Sequence, residues 1–302
     1  MEAYTDFASV YDTFMDHTPY KEWAEYMIGL LRAYGVEESS PRSVGEGQEQ
    51  QEALAAERNV VVDLGCGTGT LTELLADAGY DMIGIDNSQE MLNIALAKRE
   101  KSGKEILYLL QDMREFELYG TAGAIISVCD SLNYLLEEED ICETFRLVNN
   151  YLYPGGIFIF DFNTVYKYET VIGDATIAEN REDCSFIWDN YYDEESQLNE
   201  YDLTIFVRVP EQTECEEGGE SGCLSGSANG YEGDWDGGVF RRFSETHFQR
   251  GYTLEQMKAF VEKAGMKFIT AIDADTHGAV RDESERIYVV AREFGKERIK
   301  KA

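Results

Sequence analysis

The residues best suited to chemistry lie in segment 60–71, where a run of valines ends in Asp63 and alternating glycines follow: Gly65, Gly67 and Gly69. Glycine adopts positive φ at little cost and lets the backbone approach a ligand closely. The apolar residues after the loop recur at helical spacing, so the loop opens a helix. Free N–H groups at a helix N-terminus favour an anionic group. The segment therefore predicts a strand, a glycine turn and a helix that together bind a ligand.

Further aspartates stand at the ends of the strands that follow. Asp86, Asp112 and Asp130 each lie at or near such an end, as Asp63 does. Ligands of open α/β sheets bind at the carboxyl ends of the strands, so we expect these side chains to meet at one edge. One aspartate could fall there by chance in so acidic a chain. Four in successive units, together with the glycine loop, indicate a binding site.

An alternation of strands and helices positions these residues. The predicted strands cover residues 59–64, 80–86, 105–111, 122–129 and 157–162, and the predicted helices 69–78, 89–101 and 137–152. Gly79 is the expected C-terminal cap of the first helix and Ser88 the N-cap of the second, and Pro154-Gly155-Gly156 predicts a turn. Alternating β and α elements imply a mostly parallel sheet with right-handed crossovers.

The C-terminal part predicts the end of this sheet. Thr253 and Gln256 form a capping box that starts a helix over 254–264. Strands over 266–273 and 286–293 then close the sheet as a hairpin. We expect one domain over residues 1–302, with its core in 59–164 and 253–295.

Two other parts predict a lid and a cap. Amphipathic helices over 4–15 and 20–34 precede the first strand, and segment 1–35 is the expected lid. An inserted antiparallel sheet, 184–249, is the expected cap, and its predicted strands cover 184–192, 199–209 and 239–249. Residues 210–238 are acidic and rich in glycine and serine, which predicts a mobile loop. Residues 36–58 are polar and predict a surface insertion.

Composition limits the classes of function. The chain has 302 residues, 43% of them hydrophobic, and a formal net charge of −33. Nucleic-acid binding depends on cationic contacts to phosphate, so an RNA or DNA partner is disfavoured. The sequence has no transmembrane run and no signal peptide, which predicts a soluble cytoplasmic protein without a membrane partner. The six cysteines are scattered without zinc-like spacing, so no metal is expected. The sequence does not reveal the oligomeric state.

The glycine spacing resembles a known family. A dinucleotide-binding loop places its third glycine one residue later. The sequence Asp63-Leu-Gly-Cys-Gly-Thr-Gly69 resembles motif I of the class I S-adenosylmethionine-dependent methyltransferases. This resemblance implies an α/β fold with a Rossmann-like core, a seven-stranded, mostly parallel sheet with a closing antiparallel hairpin, here with an inserted antiparallel β-sheet. The whole chain is similar to an uncharacterised group of bacterial small-molecule methyltransferases, and Tyr4 to Asp12 looks like their lid segment.

The resemblance implies S-adenosyl-L-methionine as the cofactor and assigns its contacts. Asp63 would orient the glycine loop, and Asp86 would accept hydrogen bonds from the ribose hydroxyls. The other implied cofactor contacts are Tyr4, Gly65, Cys66, Gly67, Asn87, Met91, Asp112, Met113 and Asp130. Two alternatives remain open. Met91 and Met113 are equally consistent with core packing, and Asp112 with a helix N-cap.

The acceptor side is predicted from the strand over 239–249. Alternation places Glu245 and His247 on one face, and His247 is the candidate base, since histidine titrates near neutrality. A structural histidine paired with Glu245 is an equally supported alternative. Tyr11, on the lid, is the second catalytic candidate. The candidate substrate contacts are Asn133, Tyr134, Asn163, Trp188 and Glu245.

These observations predict a methyltransferase that acts on a small-molecule acceptor. Methyl transfer is an in-line displacement that requires alignment and exclusion of water, and a base only where the nucleophile carries a proton. The expected acceptor atom is nitrogen or oxygen. An RNA or protein methyltransferase, or a non-catalytic S-adenosylmethionine-binding protein, remains the alternative.

Overall fold

The computed structural model describes residues 7–36, 58–209 and 238–296. Its strands are β1 Val60–Leu64, β2 Asp81–Asp86, β3 Leu107–Leu110, β4 Ala122–Ser127, β5 Leu152–Asn163, β6 Thr176–Asn180, β7 Cys184–Asp193, β8 Leu198–Arg208, β9 Phe240–Arg250, β10 Met266–Asp273 and β11 Arg286–Glu293. Its α-helices are α1 Ala8–Phe14, α2 Tyr20–Ala33, α3 Thr70–Asp77, α4 Gln89–Ser102, α5 Glu138–Tyr151 and α6 Leu254–Lys263. A 3₁₀ turn covers Ser131–Tyr134, and a π-helical turn covers Lys167–Ile172.

Seven strands form the main sheet in the order β10-β11-β5-β4-β1-β2-β3. The five strands β5, β4, β1, β2 and β3 are parallel to their neighbours. Strand β11 runs antiparallel to both β5 and β10. The predicted fold class and closing hairpin are therefore confirmed. The chain reverses its direction of progress across the sheet between β1 and β4, and such a switch point opens a crevice at the carboxyl ends of the strands.

The main sheet is buried because helices cover both of its faces. Every residue of β4 is buried, which accounts for its uninterrupted apolar run. On one face Phe145 of α5 packs edge-to-face on Phe158 of β5, with ring centroids 5.2 Å apart. On the other face Met27 and Leu31 of α2 pack with Leu75 of α3 in a second core cluster. The helices packed on the two faces thus hold the strands whose carboxyl ends form the crevice.

The local signals for helix ends are confirmed. The Ser88 hydroxyl accepts a hydrogen bond from the Met91 N–H at 3.2 Å, and Thr253 and Gln256 form the capping box. Gly79, with φ +96°, follows α3. The predicted turn at Pro154–Gly156 is wrong, because β5 begins at Leu152 and passes through these residues. A register shift against β4 and the positive φ of Gly155 accommodate them as a bulge, so the strand continues.

Four strands form a separate antiparallel sheet in the order β6-β7-β8-β9. The sequence predicts three of these strands, and β6 is the one it misses, since its side chains are mostly exposed and show no apolar alternation. On the inner face of the sheet Val10 of α1 packs against Tyr201, Leu203 and Ile205 of β8. The sheet and α1 thus form one layer, which we call the roof.

Several predictions concern residues outside the described ranges. Tyr4, the segment 37–57 and nearly all of the loop 210–238 lie there. Across the ranges that the structure does describe, every helix is too short or too polar to span a bilayer.

Candidate active site

A cavity of about 340 Å³ opens at the carboxyl ends of the parallel strands, where the glycine loop turns from β1 into α3. Its volume lies in the range of small-molecule sites. Most of the predicted cofactor residues line it: Asp63, Gly65, Cys66, Gly67, Asp86, Asn87, Met91, Asp112 and Met113. Tyr11 and Tyr134, predicted on the acceptor side, also line it. The fold therefore brings most of the described cofactor set, and two residues of the acceptor set, to one cavity.

The glycine loop is shaped by its backbone. Gly65 has φ +83°, and a Cβ built on it would lie 2.5 Å from the Ser131 hydroxyl. Gly67 has φ +54° and Gly69 φ +72°. The N–H groups of Gly65 and Cys66 donate to the Ile85 carbonyl at 2.8 and 2.9 Å, which folds the loop over the end of β2. A side chain at Gly65 would therefore collide with Ser131 and disturb the loop.

Asp86 connects the loop to the next unit. Its Oδ2 accepts a hydrogen bond from the Gly67 N–H, and its Oδ1 accepts one from the Ser88 N–H, each at 2.8 Å. Burial raises the pKa of Asp86, and these N–H donors partly offset the rise. A carboxylate has about four acceptor sites, so each oxygen keeps room for a further donor.

Asp63 is tied to the helix after the loop. Its Oδ2 accepts a hydrogen bond from the Thr72 hydroxyl at 2.6 Å, in the first turn of α3. The carboxyl is 2% exposed. Its pKa is raised to about 7, chiefly by burial; the hydrogen bond from Thr72 opposes this rise and the nearby Asp86 adds to it. Asp63 thus acts on the glycine loop through α3.

The next wall of the cavity comes from the turn after β3. Asp112 accepts a hydrogen bond from the Arg114 N–H at 2.8 Å. It also forms an ion pair with the Arg114 guanidinium at 2.6 Å. This pair lowers the pKa of Asp112, against the opposing effect of burial. Residues 112–114 form a turn, so the helix N-cap alternative for Asp112 is wrong. Met91 is buried core and also lines the cavity, and Met113 packs on the core while lining it.

The turn after β4 has an unusual backbone. Cys129 and Asp130 adopt φ +65° and +55°, a strained region for residues other than glycine. Asp161 of β5 holds both, because its two oxygens accept their N–H groups at 3.0 Å each. The Arg286 guanidinium lies 3.7 Å from Asp161. Cys129 lines the cavity, and Asp130 accepts a 2.6 Å hydrogen bond from Gln249 of β9.

His247 is buried behind the cavity. Its Nε2 lies 3.3 Å from Oε2 of Glu245, and its Nδ1 lies 3.2 Å from the Tyr134 hydroxyl. The Tyr201 ring stacks on the imidazole, with centroids 4.8 Å apart, and the Tyr201 hydroxyl lies 2.8 Å from that of Tyr134. Of these four side chains, Tyr134 lines the cavity. His247 therefore both pairs with Glu245 and reaches the cavity through Tyr134.

Helix α1 lies over the cavity and is fastened at three points. The Phe7 N–H donates to Oε1 of Glu245 at 2.9 Å. In the middle of the helix, Asp12 accepts from the Thr68 hydroxyl at 2.7 Å and pairs with Lys98 at 2.7 Å. At its end Asp16 pairs with Arg181. Three aromatic residues of α1 and α2 face the cavity: Tyr11, Tyr20 and Trp23.

Comparisons with known proteins identify the family. Residues 61–156 match a family described as a methyltransferase domain. The chain is 32% identical to "Putative methyltransferase YqeM" of Bacillus subtilis (strain 168), over 96% of each chain. It belongs to the class I S-adenosylmethionine-dependent methyltransferases. A similar protein from Geobacillus sp. (strain WCH70), "Putative methyltransferase GWCH70_2453", is 31% identical over 96% of this chain and 99% of its own length.

Solved structures share the fold of this methyltransferase. An S-adenosylmethionine-dependent methyltransferase from Clostridium acetobutylicum ATCC 824 superimposes with a TM-score of 0.74 at 24% identity, covering 97% of this chain and 100% of its own. DesVI from Streptomyces venezuelae has a TM-score of 0.66 at 20% identity, covering 95% and 98%. The cofactor of the family is S-adenosyl-L-methionine.

The residues of this methyltransferase fit that cofactor. A Cβ at Gly67 would meet nothing within 4 Å, so the backbone there leaves room for a ligand. Asp86 has acceptor sites for a pair of hydroxyls. The aromatic rings of Tyr11, Tyr20 and Trp23 that line the cavity suit a cationic sulfonium. Site residues are thus available for each part of the molecule.

Four predicted substrate contacts lie outside the lining that the described residues give this cavity: Asn133, Asn163, Trp188 and Glu245, the last of which contacts His247 instead. Asn133 is fully buried, and its amide donates to the carbonyls of Asn163 and Arg250 at 2.9 and 2.7 Å while accepting from the Asn163 N–H. Trp188 donates to Asn190 at 3.1 Å and packs in the roof cluster. The pocket-lining roles predicted for these four residues are corrected accordingly: their side chains join elements around the site.

Sequence reasoning missed Asp161 and Arg286. Asp161 stands in the otherwise apolar run Ile157 to Phe162. A charged residue in a buried strand requires partners, and that irregularity was the available signal.

Proposed function

We propose that this methyltransferase transfers the methyl group to an oxygen or nitrogen nucleophile of a small molecule. The observation that supports this most is the cavity of about 340 Å³, whose lining combines the glycine loop with four aromatic residues, Tyr11, Tyr20, Trp23 and Tyr134. A concave site of this size that combines aromatic side chains with polar groups suits a small ligand.

The proposed mechanism is an in-line displacement. When bound, S-adenosylmethionine supplies a methyl group already activated by its sulfonium. The glycine loop and Asp86 would hold and orient the methyl donor in one half of the cavity. Helices α1 and α2 cover the other half and exclude water, which strengthens the electrostatic interactions inside. The remaining requirement is alignment of the nucleophile with the methyl carbon and the sulfur, and the aromatic wall would provide it.

The charge of the chain argues against a macromolecular acceptor that binds through phosphate. A net charge of −33 repels RNA and DNA. A basic peptide is the stronger rival acceptor, because protein arginine N-methyltransferase 1 of Dictyostelium discoideum is 34% identical over 56% of this chain and 50% of its own length.

A small-molecule enzyme also shares the fold. CalS10, an amino pentose methyltransferase from Micromonospora echinaspora, is 16% identical to this chain, with a TM-score of 0.63, and the match covers 97% of this chain and 98% of CalS10.

The test is a methyl-transfer screen on the purified full chain. Calorimetry first measures the affinity for S-adenosylmethionine. Release of S-adenosylhomocysteine is then followed with phenols, hydroxy acids, amino sugars and alkylamines, and in parallel with an arginine-rich peptide and transfer RNA. We expect turnover with a member of the small-molecule set. Turnover with the peptide or the RNA alone would overturn the proposal.

A further inference from the structure

Tyr134 is the point at which the roof meets the cavity. It is half-buried and lines the cavity, whereas His247 and Tyr201, which contact its hydroxyl, are buried. Glu245 lies beyond His247, on the far side of the imidazole. The four side chains come from β8, β9 and the 3₁₀ turn after β4. They form a continuous path from the cavity to a carboxylate.

The direction of the hydrogen bonds follows from the chemistry of the partners. An ionised carboxylate only accepts, so the imidazole nitrogen that faces Glu245, Nε2, carries the hydrogen. A neutral imidazole then has its lone pair on Nδ1, where it accepts from the Tyr134 hydroxyl. Because the Tyr134 hydrogen then points to Nδ1, the Tyr201 hydroxyl donates to the Tyr134 oxygen at 2.8 Å. This order of carboxylate, imidazole and hydroxyl is the arrangement that activates a hydroxyl group in nucleophilic enzymes.

The groups around His247 fix the orientation of its imidazole. Glu245 is the acidic group in contact with the imidazole, and Tyr201 stacks flat on its face, with an interplanar angle of 4°. The second oxygen of Glu245 is held by the Phe7 N–H of the lid. The carboxylate is therefore fixed from two sides, which keeps it aimed at Nε2.

We propose that Tyr134 is the catalytic base that contacts the methyl acceptor, and that His247 and Glu245 are the positioning residues that make it basic. This rests on the proposed function. The acceptor would be a molecule whose nucleophile still carries a proton on arrival, either a hydroxyl group or an ammonium group. An amine that arrives neutral would not need this relay, by which we mean proton transfer through Tyr134 to His247.

The proton and electron balance is complete. The nucleophile's proton passes to the Tyr134 oxygen, and the Tyr134 proton passes to Nδ1 of His247; for an ammonium group this transfer comes first and frees the lone pair. The nucleophile's lone pair then forms a bond to the methyl carbon, and the sulfur–carbon bond breaks with its electron pair left on sulfur. The imidazolium formed is stabilised by Glu245. No oxidant, reductant or metal takes part.

The kinetic test compares Tyr134→Phe with Tyr191→Phe, which removes a hydroxyl from the exposed face of β7, away from the cavity and the network. The probes are para-substituted phenols and benzylamines, with acceptor pKa as the variable. Loss of a general base lowers kcat by roughly 10²–10⁴-fold. We expect such a loss for Tyr134→Phe on acceptors of high pKa, less loss on acceptors already ionised, and unchanged kcat for Tyr191→Phe. His247→Gln should act on kcat rather than KM and add little to Tyr134→Phe.

A second measurement does not depend on the acceptor. The chain has three histidines, so ¹⁵N-histidine labelling with His247→Gln as the assignment control isolates the His247 signals. We expect a hydrogen on Nε2, a free lone pair on Nδ1, and a change at Nδ1 in Tyr134→Phe. A hydrogen on Nδ1, or unchanged kcat in Tyr134→Phe at every acceptor pKa, would overturn the relay while leaving methyl transfer intact. Cofactor binding without turnover in the wild type would instead overturn the proposed function.

Discussion

The cavity has a floor, formed by the glycine loop 65–69 with Asp63 and Asp86, and this floor and the roof are built in different ways. The floor is local in sequence, since the Gly67 N–H and the carboxylate of Asp86 that accepts from it are 19 residues apart. The roof is assembled over the length of the chain, since the Phe7 N–H and its acceptor Glu245 are 238 residues apart. A floor that depends on backbone conformation leaves a readable spacing of glycines and aspartates. A roof that depends on tertiary packing leaves no such spacing.

The two regions also differ in what holds them. The floor is fixed by contacts between neighbouring units, such as the Gly67 N–H donated to Asp86, whereas the roof is fixed by contacts between distant segments, such as the Phe7 N–H donated to Glu245 and the ion pair of Asp16 with Arg181. We therefore expect substitutions in the floor to change cofactor affinity and stability. Substitutions in the roof are expected to change turnover and lid closure. The following predictions test that division.

The largest effect is expected for Asp86→Ala. The change removes the acceptor of two backbone N–H groups and of the proposed ribose contacts. Hydrogen bonds to a charged group contribute about 1.5–3 kcal/mol each, so we expect roughly 1000-fold weaker binding of S-adenosylmethionine by calorimetry. Asp81→Ala, at the exposed start of the same strand, is the matched control and should leave affinity unchanged. Equal affinities for both variants would contradict the role of Asp86.

Gly65→Ala tests the backbone of the floor. Its positive φ strains an L-residue, and the added Cβ would lie 2.5 Å from the Ser131 hydroxyl. Strain and overlap together predict a loss of about 3 kcal/mol in the free energy of unfolding. Gly103→Ala is the control, because Gly103 has φ +70° with nothing within 4 Å of its Cβ position. Strain alone predicts about 1 kcal/mol there. A similar loss for both variants, in denaturant melts, would show that crowding against Ser131 is unimportant.

The sequence predicted the floor well because its requirements are local. Asp63, Gly65 and Gly67 were found by spacing, and the helix caps at Ser88 and Thr253 by residue type. Each of these needs a backbone geometry that few residues provide. Their roles toward the cofactor remain predictions, while their place around one cavity is a structural fact.

The roof could be predicted only in part. Alternation placed Glu245 and His247 on one face of β9, as observed, but could not show that Tyr134 stands between them and the cavity. That arrangement depends on how the roof docks on the turn after β4. Asn133 was predicted to contact substrate because of its position after that strand, yet buried carbonyls of Asn163 and Arg250 take its amide. A polar residue near a site can bind either a ligand or a buried backbone group, and the sequence does not distinguish these two roles.

A pH-dependent effect is expected from Asp63 of the floor. Burial raises its pKa to about 7, above the ordinary value of 3.8, so the fold favours the protonated carboxyl. The stability this contributes is present below pH 4 and is lost as pH rises through 7. Asp63→Asn keeps an acceptor for Thr72 but cannot ionise. Between pH 5 and 7 the wild type should lose up to ~2 kcal/mol of stability relative to this variant. Parallel profiles from denaturant melts at each pH would contradict the shift.

The smallest effect is expected for Asp12→Asn, which tests where floor and roof meet. Asp12 of the lid pairs with Lys98 and accepts from Thr68 beside the glycine loop. The pair is partly exposed, with 29% and 40% of the two side chains accessible, so its contribution is at most about 1 kcal/mol. We expect S-adenosylmethionine to dissociate up to about fivefold faster in stopped-flow measurements, and the difference to shrink at high salt. Asp16→Asn is the matched control, since Asp16 pairs with Arg181 of the roof. Faster dissociation in the Asp12 variant alone would locate the coupling at the glycine loop. Equally fast dissociation in both variants would contradict this and mean that α1 moves as one body with the four-stranded sheet.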